Sequence, residues 1–453
     1  MSKAFVSKVA SAILAGLIAC GSLAGCQSAP PSNTSSTAGT TPSAGNTSSA
    51  APEKPVEKQK VVLWHLWTGV EAGYVDDAVK AYNEKSDKYE VEATSTPDTQ
   101  KIMVAIQAGN GPDITDDFSN NVGSYASKGI MMPLDDMIAE SGYDMSDFIP
   151  STVESCKYDG KLYALPVGLN LMALFYNKTL LADAGYTEPP KTLEEMYEMA
   201  VKTTKLNADG TIDVIGFPDF PSVYYADNIA AAGGGDWYQD GMPTPADNAG
   251  NLLMLNMAVN YRKQFGVDNV MKFQSSGKYL DPADPFLQGK QVFRVDGNWL
   301  GMNIKETFKV DVDYGVTMIP YPEANPELEG RGIASSSMYY IPSNTKVPEG
   351  AFDFLCFIAG PEGTMIQSVS HGGFPSLLSQ LESEEFKKGS YDSDVFKNLA
   401  SSKNLYSRPN VTWSTEYGIV CAEQVELCLN LNQSPEDTLK NIYEQGMALA
   451  NAG

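Results

Sequence analysis

Histidine is nearly missing from this chain: of 453 residues only His65 and His371 are histidines. Basic residues are also scarce, with 32 Lys and Arg against 56 Asp and Glu and a formal charge of -24. That deficit excludes nucleic acid as a partner, because affinity there rests on Lys and Arg meeting phosphates. It leaves acidic solubility as the meaning of the charge. No phosphate-binding loop, nucleophile elbow or zinc-ligand spacing is present, so nothing calls for a metal or a cofactor. Beyond residue 26 the cysteines are Cys156, Cys356, Cys421 and Cys428. None of their spacings is a zinc or redox motif, and Cys421 and Cys428 are too far apart to bridge within one helix. All four read as buried thiols, with a long-range pairing of Cys156 and Cys356 left open.

What is present begins with an export signal. Lys3 and Lys8 precede an apolar run from Val9 to Leu23 that is too short for a typical membrane span. The run ends in Leu23-Ala24-Gly25-Cys26, which resembles the bacterial lipobox and implies a lipid on the Cys26 thiol; Leu17-Ile18-Ala19-Cys20 fits more loosely. Residues 27–59 are mostly Ser, Thr, Ala, Gly, Pro and Asn, with nothing apolar enough to fold. As a flexible coil they span about 30 Å, a tether between a membrane anchor and an extracytoplasmic domain.

The mature chain opens on Val61-Val62-Leu63-Trp64-His65-Leu66-Trp67-Thr68-Gly69, a strand running into a turn. Strand, helix, strand, helix, strand follow up to Ile114, which implies a parallel sheet covered on both faces; ligands bind beyond the carboxyl ends of such strands. Pro166 marks a place where the chain leaves one sheet. Thr192 and Glu195 have the spacing of a capping box, and the glycines of Ala232-Gly233-Gly234-Gly235 permit either a sharp turn or close backbone approach to a ligand. Val292 to Trp299 is a strand that delivers a tryptophan to its tip. Further strands are expected from Tyr314 to Pro320 and from Ser337 to Ile341. Helices are expected over Asn248 to Phe265, Pro348 to Ile358, Thr415 to Leu429 and Pro435 to Ala450, the last capped by Ser434.

Together with the lipobox and tether, the following pieces, in this order and spacing, resemble the extracellular solute-binding proteins of ABC importers, the maltose-binding-protein-like family: Gly111-Pro112-Asp113-Ile114, Tyr163-Ala164-Leu165-Pro166 with Phe175-Tyr176-Asn177-Lys178, Pro189-Pro190-Lys191-Thr192, Phe286-Leu287-Gln288-Gly289-Lys290 and Gly297-Asn298-Trp299. The resemblance covers essentially the whole mature chain. It implies an α/β fold of two lobes joined by several chain crossings around a ligand cleft. One lobe would hold residues 60–168 with 297–341, the other 169–296 with 342–453. The implied function is capture of a carbohydrate, an oligosaccharide in the first instance, by a monomer that hands it to an ABC permease without catalysis. Crossings are expected near Pro166 to Asn170, Arg294 to Gly297 and Ile333 to Pro342.

The resemblance also carries over ligand positions. Trp67 and Thr68 lie at the first strand's end. Asn120 and Asn170 match, in spacing, positions where maltose-binding members carry carboxylates; neutral amides there put maltose itself in doubt. Trp237, Trp299 and Trp413 match aromatic positions of the family, and a tryptophan face packs against the C–H face of a pyranose while polar groups meet its hydroxyls. Trp64, inside the strand, is a core residue. His65 can face the cleft or the lobe interior. Arg331 and Gly332 sit near the third crossing, Arg331 either contacting ligand or forming a surface salt bridge. His371 is a loop residue and Phe374 a possible flank. Two other readings carry less: Asp113, Asp116 and Asp117 as an acid and base pair of a glycan-active enzyme, and a peptide or polyamine in place of the sugar. Asn207 to Asp213 lacks the first-position acid and the closing Glu of a calcium loop and reads as a turn.

Overall fold

Val61, Leu63 and His65 are buried while Val62 and Trp64 between them stay half-exposed, the period of two of a strand with one face in a core. This strand, β1 (Gln59–His65), leads through α1 (Gly69–Lys85), β2 (Tyr89–Ser95) and α2 (Thr99–Gln107) to β3 (Ile114–Phe118). β1 pairs in parallel with both β2 and β3, so all three carboxyl ends share one edge. Asp113 caps this arrangement: its carboxylate accepts the Val62 N–H at 2.9 Å and the Thr345 hydroxyl at 2.6 Å. The computed structural model describes residues 57–219, 222–389 and 391–452. The export signal, Cys20, Cys26 and nearly all of the tether lie outside those residues. The tether's expected last residue, Gln59, already pairs with Tyr89.

The remaining elements used below are β4 (Ala164–Asn170), β5 (Met172–Asn177), α3 (Leu193–Thr203), α4 (Ser222–Ala232), α5 (Ala249–Phe265), β6 (Phe293–Gly297), β7 (Tyr314–Thr317), β8 (Ser335–Tyr340), α6 (Pro348–Ile358), α7 (Ser414–Leu429) and α8 (Pro435–Ala452). Thr192 and Glu195 do form a capping box on α3, and Ser434 accepts the Asp437 N–H at the start of α8.

Two sheets result. The first has the order β2-β1-β3-β8-β4, with β8 antiparallel to both neighbours. The second has the order β6-β5-β7 and is antiparallel. Leu171 alone separates β4 in the first from β5 in the second. Pro166 does not mark the exit; it lies inside β4, opposite Met338, where the register with β8 shifts. β4 is an edge strand, where a missing N–H is tolerated.

β5 feeds two cores by alternation. Leu174 joins a core built with α3, α4, α5, α7 and α8, whereas Ala173 and Phe175 join a second one with Phe286, Leu300, Phe374, Phe386 and Phe396. The first sheet has its own core, to which α6 contributes Phe352, Phe354, Leu355 and Ile358. Two expected boundaries therefore move. Residues 348–358 pack on the first sheet rather than in the second lobe, and Tyr314–Thr317 pair with β5 rather than with the first sheet. The four cysteines of the described residues are free thiols; Cys356 is half-exposed and the other three are buried.

The glycine run at 233–235 serves helix packing, not ligand approach. A Cβ on Gly250, in the first turn of α5, would fall 2.1 Å from the Gly235 nitrogen, and one on Gly235 would fall 2.3 Å from Asn251 Oδ1. Gly250→Ala is predicted to cost about 2 kcal/mol by forcing this contact apart, measured by urea unfolding. Unchanged stability would show that α5 is not seated against the run.

Candidate functional site

Where the carboxyl ends of β1 and β3 face the segments that follow β6, a cavity of about 340 Å³ opens between the two sheets. The first lobe supplies Trp67, Glu71, Tyr74, Phe118 and Asn120; the second supplies Asp227, Asn228, Trp299, Asn303, Arg408 and Asn410. Between them lie Asn170 and Ser337 on paired strands, with Gln367 at the end of the helix Pro361–Gln367 and His371 and Phe374 from the turn after it. Four of the expected residues are thus brought together: Trp67, Asn120, Asn170 and Trp299.

Trp67 is placed from beneath. The Asp116 carboxylate accepts the Leu66 N–H at 2.9 Å, and the Ser95 hydroxyl donates to the Trp67 carbonyl at 2.6 Å. The indole meets Phe118 edge to face, with centroids 6.3 Å apart. Asp116 and Asp117 are buried and do not line the cavity. Burial pushes the Asp116 carboxyl up to about 8, with the neighbouring Asp117 adding to the rise and the Leu66 N–H opposing it. Asp117 accepts the Phe118 N–H at 2.7 Å and the Asn121 amide at 3.0 Å. Both acids are structural, not an acid and base pair.

Trp299 is placed from its own loop. Its ring lies across Gly297, where a Cβ would fall 2.3 Å from the indole. Its N–H donates to the Tyr279 hydroxyl at 2.6 Å. Next to it in the cavity, Glu71 has its carboxyl pushed up to about 7 by burial, with Asp296 adding to the rise. Tyr74 stacks on His371, rings 3.4 Å apart and nearly parallel, and its hydroxyl lies 3.3 Å from the Thr307 hydroxyl. Burial lowers the His371 imidazole. Asn170 donates to the Ser337 hydroxyl at 3.0 Å. Arg408 donates to Asp227 at 2.7 Å and Asp236 at 2.9 Å, so the acid that reaches the cavity from α4 comes with its own counter-charge. Although burial acts to raise Asp227, Arg408 holds it below the usual carboxylate range.

The other expected residues lie elsewhere. Trp237 is 4% exposed and Trp413 8%, both in the core under α5 and α7. The Trp237 indole donates to Asp227, and Trp413 stacks on Tyr238. These are corrections: a tryptophan at a loop end turns its ring inward as readily as outward. His65, 1% exposed, points into the first lobe with Val61 and Leu63. Thr68 is the residue before α1, outside the cavity. Arg331 donates to the carbonyls of Ala231 and Gly235 and covers Tyr406, so it is neither ligand contact nor surface ion pair. Gly332 pairs with Leu405, beside the cavity-lining Ile333. Trp64 is only half-buried, beside exposed Val104. Glu71, Tyr74, Asp227, Asn228, Asn303, Gln367, Arg408 and Asn410 line the cavity without having been expected from sequence. Glu71 and Tyr74 carried a usable signal, since they follow Trp67 at helical spacing on one face of α1.

The cleft is thus lined by strand ends and helix α1 from one side and by helix α4 and loops from the other. Residues 77–390 match the bacterial extracellular solute-binding protein family. The chain belongs to that family. Among its relatives, a maltotriose-binding protein of Pyrococcus abyssi is 25% identical over 332 residues, 72% of this chain and 69% of the relative. A maltooligosaccharide ABC transporter solute-binding lipoprotein of Streptococcus pneumoniae is 25% identical over 355 residues, 75% of this chain and 79% of the relative. The structure of CpMnBP1 with mannotriose bound superposes with a TM-score of 0.77, covering 86% of this chain and all of that one at 24% identity; that likeness establishes the fold. These relatives are binding proteins rather than enzymes, and the family places this solute-binding protein outside the cytoplasm.

Asp116 gives this solute-binding protein a predicted pH signature. The unfolded carboxyl ionises near pH 4 and the folded one at about 8. Between those values the unfolded chain sheds a proton that the folded chain keeps, so this group's contribution falls as pH rises. Asp116→Asn, which keeps an oxygen for the Leu66 N–H, is expected to raise Tm at pH 8 and to lose most of that gain by pH 5. An equal gain at both values would assign the effect to packing.

Proposed function

We propose that the protein captures a carbohydrate, in the first instance an oligosaccharide, in the cleft between its lobes and delivers it to the transmembrane subunits of an ABC importer. It acts as a monomer tethered to the outer face of the cytoplasmic membrane through a lipid on Cys26. The observation that carries the ligand class is the cavity wall itself. Two indoles, Trp67 and Trp299, supply broad apolar faces, and Asn120, Asn170, Asn228, Asn303 and Gln367 surround them with amides. Sugars need that combination, since a pyranose has an apolar face and a hydroxylated edge. The relatives' ligands, maltotriose and maltooligosaccharide, support the same class. Asn120 and Asn170 offer neutral donors and acceptors, which suits an uncharged ligand.

Closure of the lobes on the ligand is a population shift between open and closed arrangements. The described conformation already has contacts across the cleft. The Thr415 hydroxyl donates to Asn121 at 3.1 Å, Asn410 donates to the Ser155 and Lys157 carbonyls at 2.9 and 3.0 Å, and Lys128 pairs with Glu416.

Calorimetric titration against a panel of mono- and oligosaccharides tests the proposal; no saturable heat for any sugar would overturn the ligand class. Trp299→Ala is expected to weaken binding of the best panel sugar by at least about tenfold, the loss of one stacking platform, while Trp413→Phe, a core change, leaves affinity unaltered. Affinity is also expected to fall as pH rises from 6.5 to 8. The folded Glu71 carboxyl loses its proton at about 7, and its charge is disfavoured once closure removes more water. Glu71→Gln should flatten that slope; a slope that persists in the variant belongs to another group.

A further inference from the structure

Behind Trp299 runs a chain of polar groups, Tyr279, Asp296, Arg294 and Asp284, that ends on the indole N–H. On β6, Arg294 and Asp296 point to the same face, away from Phe293 and Val295 in the neighbouring core. Arg294 is fully buried between two carboxylates: Nε donates to Asp296 Oδ2 at 2.7 Å and Nη1 to Asp284 Oδ1 at 2.6 Å. Asp296 Oδ1 accepts the Gly297 N–H at 2.8 Å and the Tyr279 hydroxyl at 3.1 Å. The Tyr279 oxygen in turn accepts the Trp299 indole N–H at 2.6 Å. The guanidinium also lies over the Tyr279 ring, 5.1 Å from its centroid.

The backbone beside Tyr279 is bent to suit. Leu280 has φ 47°, a left-handed conformation that is strained for a residue with a side chain. It is held there by Asp284, whose carboxylate accepts the Leu280 N–H at 3.1 Å and the Phe286 N–H at 2.9 Å. One carboxylate therefore neutralises Arg294 and also fixes the turn that presents Tyr279. The Leu280 side chain packs against the core that holds Phe286 and Leu300, and the turn brings the Tyr279 hydroxyl to the Trp299 indole nitrogen.

We propose that Arg294, Asp296 and Tyr279 are positioning residues that lock the Trp299 indole in one orientation before ligand arrives, with Tyr279 as the contacting link. This deepens the proposed carbohydrate function and rests on it for the role of the platform, but the locking itself is a property of the empty protein. An aromatic face held in advance loses no rotamer entropy on binding. A loose one must be ordered by the ligand.

The test removes only the hydroxyl, with Tyr279→Phe. In ligand-free protein, the Trp299 contribution to fluorescence anisotropy and acrylamide quenching is isolated as the difference between each protein and its Trp299→Phe counterpart. Tyr279→Phe is expected to lower the anisotropy and raise the quenching of that component at an unchanged fold, judged by circular dichroism. An unaltered Trp299 component overturns the proposal, whether or not any sugar binds. With maltotriose and mannotriose as probes, Tyr279→Phe is expected to weaken binding by about fivefold, the range of one lost hydrogen bond. In a Trp299→Phe background it should have no further effect, because the group it positions is gone. Equal weakening in both backgrounds would mean that Tyr279 acts on ligand directly, and would also overturn the proposal. If neither sugar binds the parent protein, the proposed ligand class is in question while the ligand-free measurement still decides the locking.

Discussion

The second wall of the cleft depends on a guanidinium kept out of water. A buried Arg294 is tolerable only because Asp284 and Asp296 both meet it; an uncompensated charge at that depth would be strongly destabilising. Meeting that requirement fixes the end of β6, the turn at Leu280 and the loop carrying Trp299 in one geometry. A buried ion pair contributes little net stability, but removing one partner strands the other charge at a cost of roughly 3–5 kcal/mol. The same logic recurs at Arg408, which ties Asp227 to Asp236, and at Arg262, fully enclosed with Asp219. Three arginines thus anchor the second lobe, whereas the first lobe's β1–β3 region uses aspartates hydrogen-bonded to backbone N–H groups, Asp113, Asp116 and Asp117.

Much of this was legible in the sequence, and the reason is local. Strand alternation in β1, the capping box at Thr192, and the Gly-Asn-Trp tip of β6 are each written within a few residues, so a local pattern finds them. The lobe boundaries were less legible. Residues 348–358 are an apolar helix either way, and nothing in the helix states which sheet receives it. The resemblance to a family supplied that answer by analogy and missed the transfer of α6 to the first core.

The site was half legible for a related reason. Trp67 and Trp299 end strands whose direction is fixed by pairing, so the ring's destination follows from the strand. Trp237 and Trp413 lie outside those strands, so no pairing fixes where the ring goes; it is set by packing partners, Asp227 for one and Tyr238 and Tyr417 for the other. Arg408 and Asn228 were invisible because they become neighbours only when α4 meets the segment before α7. Composition could not have placed them.

Leu171 has a mechanical consequence. One residue of backbone spans at most about 3.5 Å, and Leu171 is itself fully buried. The two sheets have no slack along that edge, so translation of one relative to the other is forbidden there and only rotation about the edge remains. Displacement then grows with distance from Leu171. The mouth opens widest on the side remote from the pivot, and a long solute would enter end-on or broadside according to how its length compares with that lever arm.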